Sequence, residues 1–305
     1  MDAQIHPKAL VSPEAQIGKN VHIGPFCIVE DDVVIGDGCV LEARVSVKNG
    51  VTLGKENHIF EGAVIGGLPQ CVDLDDVNSR VIIGNGNIIR ENVTIHRSMK
   101  EDDATEIGDD CMLMVNVHIA HDCRIADGVI MANNVMLAGH VSVGARAFIS
   151  GAVGVHQFCR IGSLAMVGGQ AHIVKDVPPF VTVDGLSSEV VGLNKVGLRR
   201  AKMTVEDRNT LKAVYKILYG KGMPWSEIVK KIDEEYTSGP GLEMARFLAT
   251  TTRGITPERH SGSYLRPIQA EGTDSTTFRL HVVTEEEINE IEKNVELDKR
   301  SRNIG

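Results

Sequence analysis

Four of the chain's 11 histidines, His118, His121, His140 and His156, lie close together in the sequence. Imidazole titrates near neutral pH, so a histidine beside an acid can take a proton and return it. Asp122 directly follows His121 and is the nearest group to orient its ring and stabilise the imidazolium. Clustered histidine also serves metals, and His118-x-x-His121-x-Cys123 has ligand-like spacing. Other enzyme signatures are missing. The chain has no G-x-S-x-G and no P-loop, and Gly84-Asn85-Gly86 lacks the third glycine of a dinucleotide loop.

Whether these side chains meet depends on the elements that carry them. From Ile5, every sixth residue is apolar: Val11, Ile17, Ile23, Val29, and onward to Ile173. Of the 29 positions in this phase only Cys71 and Glu101 are not Ile, Val, Leu or Met. A helix drifts off a period of six, whereas short strands joined by tight turns hold it. Three hexapeptides close a triangular coil of about 18 residues, and coils stack about 4.8 Å apart. Residues 5 to 178 make room for nine to ten coils, a prism on the order of 45 Å long.

An 18-residue register brings the histidines together. Adding 18 to His121 reaches Gly139, beside His140, and adding 36 reaches Gln157, beside His156. His121, His140, His156 and Gln157 are expected along one corner of three successive coils. Cys27, Cys39, Cys111, Cys123 and Cys159 share a second inward phase, and Cys71 falls in the anchor phase. All six are therefore expected as small buried residues without disulfides, which suits a reducing cytoplasm. An inward Cys123 and an outward His121 would not share one ion, so no metal and no cofactor is expected.

Composition narrows the class further. The chain has 305 residues, is 42% hydrophobic and 4% aromatic, and carries a net charge of −9. That balance argues against a disordered chain and against general nucleic-acid binding. No apolar run reaches the roughly 18 residues of a membrane span, and the start lacks the pattern of a secretion signal. A cytoplasmic protein without stable membrane insertion is expected.

Two stretches, 66–80 and 98–104, lack clear anchors and read as loops leaving the prism, where binding groups commonly sit. The repeat stops at Pro178-Pro179. Thr204 with Asp207 makes a capping box ahead of Leu211, Val214, Tyr215 and Leu218. Trp225, Ile228, Ile232 and Tyr236 form a second helical stripe, and Met244, Phe247 and Leu248 a third. Phe278 to Val283 reads as a strand and Glu285 to Arg300 as a charged helix. The expected division is a prism over 1–186, a helical part over 187–255, and a charged extension over 256–305. Residues 190–232 hold ten Lys/Arg against Glu206, Asp207 and Glu227, a sum of +7.

Several motifs then point one way. Asn116-Val117-His118-Ile119-Ala120-His121-Asp122-Cys123, Leu137-Ala138-Gly139-His140-Val141 and Val155-His156-Gln157-Phe158-Cys159 occur in order. Met166-Val167-Gly168-Gly169, Asp176-Val177-Pro178-Pro179, Gly197-Leu198-Arg199-Arg200 and Thr252-Arg253-Gly254 follow. Over residues 1 to 255 the chain resembles the acyl-[acyl-carrier-protein]–UDP-N-acetylglucosamine O-acyltransferases, hexapeptide-repeat enzymes of lipid A synthesis. The resemblance implies an all-β left-handed parallel β-helix with a small helical C-terminal domain, assembled as a homotrimer with active sites between prisms. It implies direct transfer of a 3-hydroxyacyl group from acyl carrier protein to the 3-hydroxyl of a UDP-amino sugar. His121 would be the general base, Asp122 its partner, and the Gly139 N–H the oxyanion donor. His118, His140, His156 and Gln157 would hold sugar and pyrophosphate. Asn194 and Arg200 match nucleotide or carrier contacts, and Gly169 matches the position limiting acyl length. The basic surface would steer the acidic carrier protein.

The chain departs from the family in acceptor recognition. Where the family carries Asp-x-Lys near 66–80, this sequence holds Cys71 and Asp73. The family's Asn-x-Glu appears as Asn194-Lys195-Val196, and a family histidine as Ser187. A related β-helix acyltransferase acting on a different nucleotide amino sugar is the alternative. A zinc β-helix enzyme or a non-catalytic trimeric scaffold is the reading from another class.

Overall fold

A computed structural model describes residues 2–72, 77–220 and 222–259. Asp73, Lys221 and the strand and helix expected beyond 277 lie outside the described residues.

The period of six appears as strands of two to four residues separated by turns. They fall into three parallel sheets of 11, nine and eight strands, visited in rotation. The first face runs from Gln4–Ile5 to Met166–Val167, the second from Leu10–Val11 to His172–Ile173, and the third from Gln16–Ile17 to Arg160–Ile161. The first face then continues through Val181–Val183, which pairs antiparallel with Val190–Leu193 and closes the end of the prism.

Side chains alternate across each short strand, so one of each pair points inward. Apart from the loop positions 71, 77 and 101, every sixth residue from Ile23 to Ile173 is at most 3% exposed. Ile5, Val11 and Ile17 are more open because no coil covers them from below. Truncating one closed-in anchor to alanine would cost roughly 2–5 kcal/mol.

The register shows what the two anchor-poor stretches do. Ile119 pairs with Leu137, 18 residues on, but Ile65 pairs with Ile95 and Ile95 with Ile119. The first excursion therefore adds 12 residues to its coil and the second adds six. Both are multiples of six, so the anchor phase survives while the coil register shifts. Both excursions leave at the corner between the second and third faces, where His121 also lies.

A buried amide ladder ties the coils together across the first excursion. Asn57 Nδ2 donates to the Gly54 and Gly84 carbonyls at 3.0 and 2.8 Å, and Asn87 Nδ2 donates to Asn57 Oδ1 at 2.9 Å. Asn87 Oδ1 accepts the Cys111 N–H at 2.8 Å. Both asparagines are fully buried, so satisfying these groups avoids the cost of an unpaired amide.

Helices α1 (Lys195–Arg200), α2 (Val205–Leu218), α3 (Trp225–Glu235) and α4 (Gly239–Ala249) follow. Thr204 and Asp207 form the expected capping box, and Leu211, Val214 and Leu218 are buried. Ile228, Ile232, Met244 and Leu248 complete this second core, while Trp225 is 41% exposed. Arg160 fixes the helices to the prism. Its guanidinium donates to Asp176 Oδ2 at 2.8 Å and to the Phe247 carbonyl at 2.9 Å. Pairing with the prism continues through residues 255–259, where Thr256 is buried against Asp176. The packed part thus extends past 255. Among the described residues no helix is long and apolar enough to cross a membrane.

Candidate active site

A cavity of about 530 Å³ lies along the second face and its corner with the third. His118, Met136, Gly154 and His172 reach it from the strands, and His121, Gly139 and His156 from the corner turns. Asp122, His140 and Phe158 occupy one left-handed backbone position in three successive coils, with φ of 59°, 60° and 65°. The same turn geometry therefore presents a different side chain at each level.

Asp122 is the most constrained group. Its Oδ1 accepts Ser98 Oγ–H at 2.6 Å, and its Oδ2 accepts His121 Nδ1–H at 2.7 Å and the Met99 N–H at 3.3 Å. Burial pushes its pKa up, but the bonds from Ser98, His121 and Met99 and the nearby His140 outweigh it. The carboxyl is held below its ordinary range and stays ionised at neutral pH. An ionised Oδ2 keeps the His121 proton on Nδ1, leaving Nε2 as the acceptor.

The other imidazoles surround this pair. The His140 ring meets His121 edge-on at 5.1 Å and stacks on Phe158 at 4.5 Å. Burial pushes the His140 pKa down despite Asp122. His118 Nδ1 lies 2.8 Å from Thr94 Oγ1, and burial, then His96, pushes its pKa down. These rings are therefore neutral near pH 7 and can accept or donate to a polar ligand.

Gly139 sits one coil from His121. A Cβ there would come within 2.5 Å of His121 Nε2, so only glycine lets the ring lie against this backbone. Among the described residues no backbone carbonyl takes the Gly139 N–H. His121, Asp122 and His140 also hold ligand atoms within 4.8 Å of one another, close enough to cradle a cation. Cys123 faces the core and hydrogen-bonds the Ala138 carbonyl, so it does not join them.

Known proteins resemble this chain in sequence and fold. Residues 176–256 match the family described as UDP N-acetylglucosamine O-acyltransferase, domain 2, and 104–139 match the bacterial transferase hexapeptide. An acyl-[acyl-carrier-protein]–UDP-N-acetylglucosamine O-acyltransferase of Burkholderia orbicola is 45% identical over 258 residues, covering 83% of this chain and 98% of that protein. The chain belongs to this O-acyltransferase family. The UDP-N-acetylglucosamine acyltransferase of Francisella novicida aligns with a TM-score of 0.81 at 37% identity, over 89% of this chain and 100% of that one. The Bacteroides fragilis enzyme aligns with a TM-score of 0.79, also at 37%, over 83% and 99%. The fold is that of the family, a left-handed parallel β-helix with a small helical C-terminal part.

Within the acyltransferase frame, the expected residues fall in three places. His118, His121, Gly139 and His156 line the cavity, with Asp122 and His140 behind it. Gln157 neighbours it, its carbonyl accepting His156 Nδ1–H at 3.1 Å. Asn194 and Arg200 instead line a hollow of about 560 Å³ on the first face. Asn194 is also structurally engaged, since Oδ1 caps α1 at Gly197 and Nδ2 donates to the Leu164 carbonyl. Gly169 is exposed at the corner between the first and second faces.

One expectation fails. Cys71 is not a buried anchor; it is partly exposed on the first excursion, with Sγ 3.7 Å from His121 Nε2. Its phase is a by-product of an excursion whose length is a multiple of six. Sequence reasoning also misses His96, Ser98 and Met99. Ser98 plus 24 is Asp122, so the six-residue excursion has to be added to the coil length before the contact can be found. His96 lines the cavity by the same shift, and its Nδ1 has no hydrogen-bond partner among the described residues.

Proposed function

We propose that this chain transfers an acyl group from acyl carrier protein to the 3-hydroxyl of UDP-N-acetylglucosamine, the first step of lipid A biosynthesis. His121 Nε2 removes the hydroxyl proton while Asp122 holds Nδ1–H and stabilises the imidazolium. The sugar oxygen attacks the thioester carbonyl, and the Gly139 N–H receives the developing oxyanion. Such a donor is worth about 3 kcal/mol. The proton then passes from His121 to the departing thiol. The observation that carries this reading is the 2.7 Å bond between His121 Nδ1 and Asp122 Oδ2, with Gly139 packed against the ring.

Asn194 and Arg200 lie on a different face from the dyad, which supports a homotrimer in which a neighbouring prism brings them to the cavity. The basic surface for the carrier protein centres on α1 and α2. Lys230 and Lys231 instead pair with Glu234 and Glu235 at 3.7 Å. Cys71 beside the dyad favours a second reading of the acceptor, as a variant amino sugar nucleotide. Mass analysis of products from acyl carrier protein and candidate UDP-sugars tests both. Acyl transfer to UDP-N-acetylglucosamine supports the proposal; transfer only to another UDP-amino sugar supports the second reading, and no transfer to any refutes both.

A further inference from the structure

The excursion that removes Cys71 from the core puts its sulfur close to a thioether and to an imidazole nitrogen. Cys71 Sγ lies 3.2 Å from Met99 Sδ and 3.7 Å from His121 Nε2. Sulfur and nitrogen bound to one ion at about 2.3 and 2.0 Å, some 120° apart, stand about 3.7 Å from each other. Met99 must swing outward slightly, which its unbranched side chain permits. We propose that Cys71, Met99 and His121 form a site for a soft monovalent cation of the Cu(I) class.

The ligand set is selective, because thiolate and thioether favour Cu(I) over harder ions. Its outer shell is already in place. A metal-bound histidine commonly donates its other N–H to a carboxylate, as His121 Nδ1–H does to Asp122. Binding involves no redox change: the Cys71 S–H proton passes to solvent as the sulfur–metal bond forms. The other five cysteines are at most 1% exposed, and burial pushes Cys111 up to about 11 and Cys123 up to about 12. They do not compete for the ion. A cation on Nε2 would occupy the lone pair that accepts the sugar proton, so it would inhibit. That last consequence rests on His121 being the base; the site itself does not.

Ag⁺ serves as a redox-inert probe, titrated into the full-length protein with native mass spectrometry and calorimetry, alongside turnover. One ion per chain is expected, with affinity falling at least 100-fold in Cys71→Ser and about tenfold in Met99→Leu. X-ray absorption of the Cu(I)-loaded protein should show two sulfur neighbours and one nitrogen. Equal affinity in wild type and Cys71→Ser, or a first shell without nitrogen, would overturn the site. An ion bound through both Cys71 and a nitrogen with turnover unchanged would uphold the site and refute His121 as the base.

Discussion

The cavity on the second face and the hollow on the first are built from different material. In the cavity, Asp122 is fixed by three bonds, two of them from residues of the second excursion, and its side chain is 4% exposed. In the hollow, Arg146 and Arg200 are exposed, and Asn194 is occupied with capping α1. The contrast fits the proposed mechanism, in which proton chemistry is set into the rigid wall of one chain. In the same proposal, recognition falls to long side chains on another face, which a neighbouring prism would bring to the cavity.

Substitutions in the two regions should therefore fail differently. Between the two regions the larger effect is expected from Gly139→Ala, whose methyl would displace the His121 ring. Steady-state kinetics should show kcat down by about 10²-fold, because small misplacements at the reacting centre have that effect. Retained kcat would mean the ring need not lie where it does. Arg200→Ala should act on binding, raising KM for the sugar nucleotide about tenfold or more with kcat nearly unchanged, as loss of a charged hydrogen bond does. A fall in kcat alone would erase the distinction between the regions.

The smallest effect is on stability against pH. Burial lowers the pKa of His96, His118 and His140 in the fold. Below about 6.5 the unfolded chain binds more protons than the folded one, so stability should drop as pH falls from about 7 to about 5. Asp122 adds nothing in that window, since its lowered pKa makes itself felt only below the ordinary carboxylate range. Thermal unfolding at several pH values should show this slope, flattened in His96→Gln and unchanged in Arg200→Ala. An unaltered slope in His96→Gln would show that the buried ring does not titrate on unfolding.

The prism and most of the cavity are legible because a period of six leaves few alternatives, and an unbroken 18-residue register runs from His118 to His172. His121, Gly139 and His156 come together by arithmetic alone. Cys71, His96, Ser98 and Met99 do not, because excursions of 12 and six residues preserve phase while shifting the coil. Asn194 and Arg200 are reached only through resemblance, and nothing in the spacing places them on the first face.

Turnover by His121→Ala, measured with acyl carrier protein and UDP-N-acetylglucosamine, tests the central claim most directly. A folded protein with activity lowered by about 10²- to 10⁴-fold is the predicted result. A folded variant turning over near the wild-type rate would contradict it.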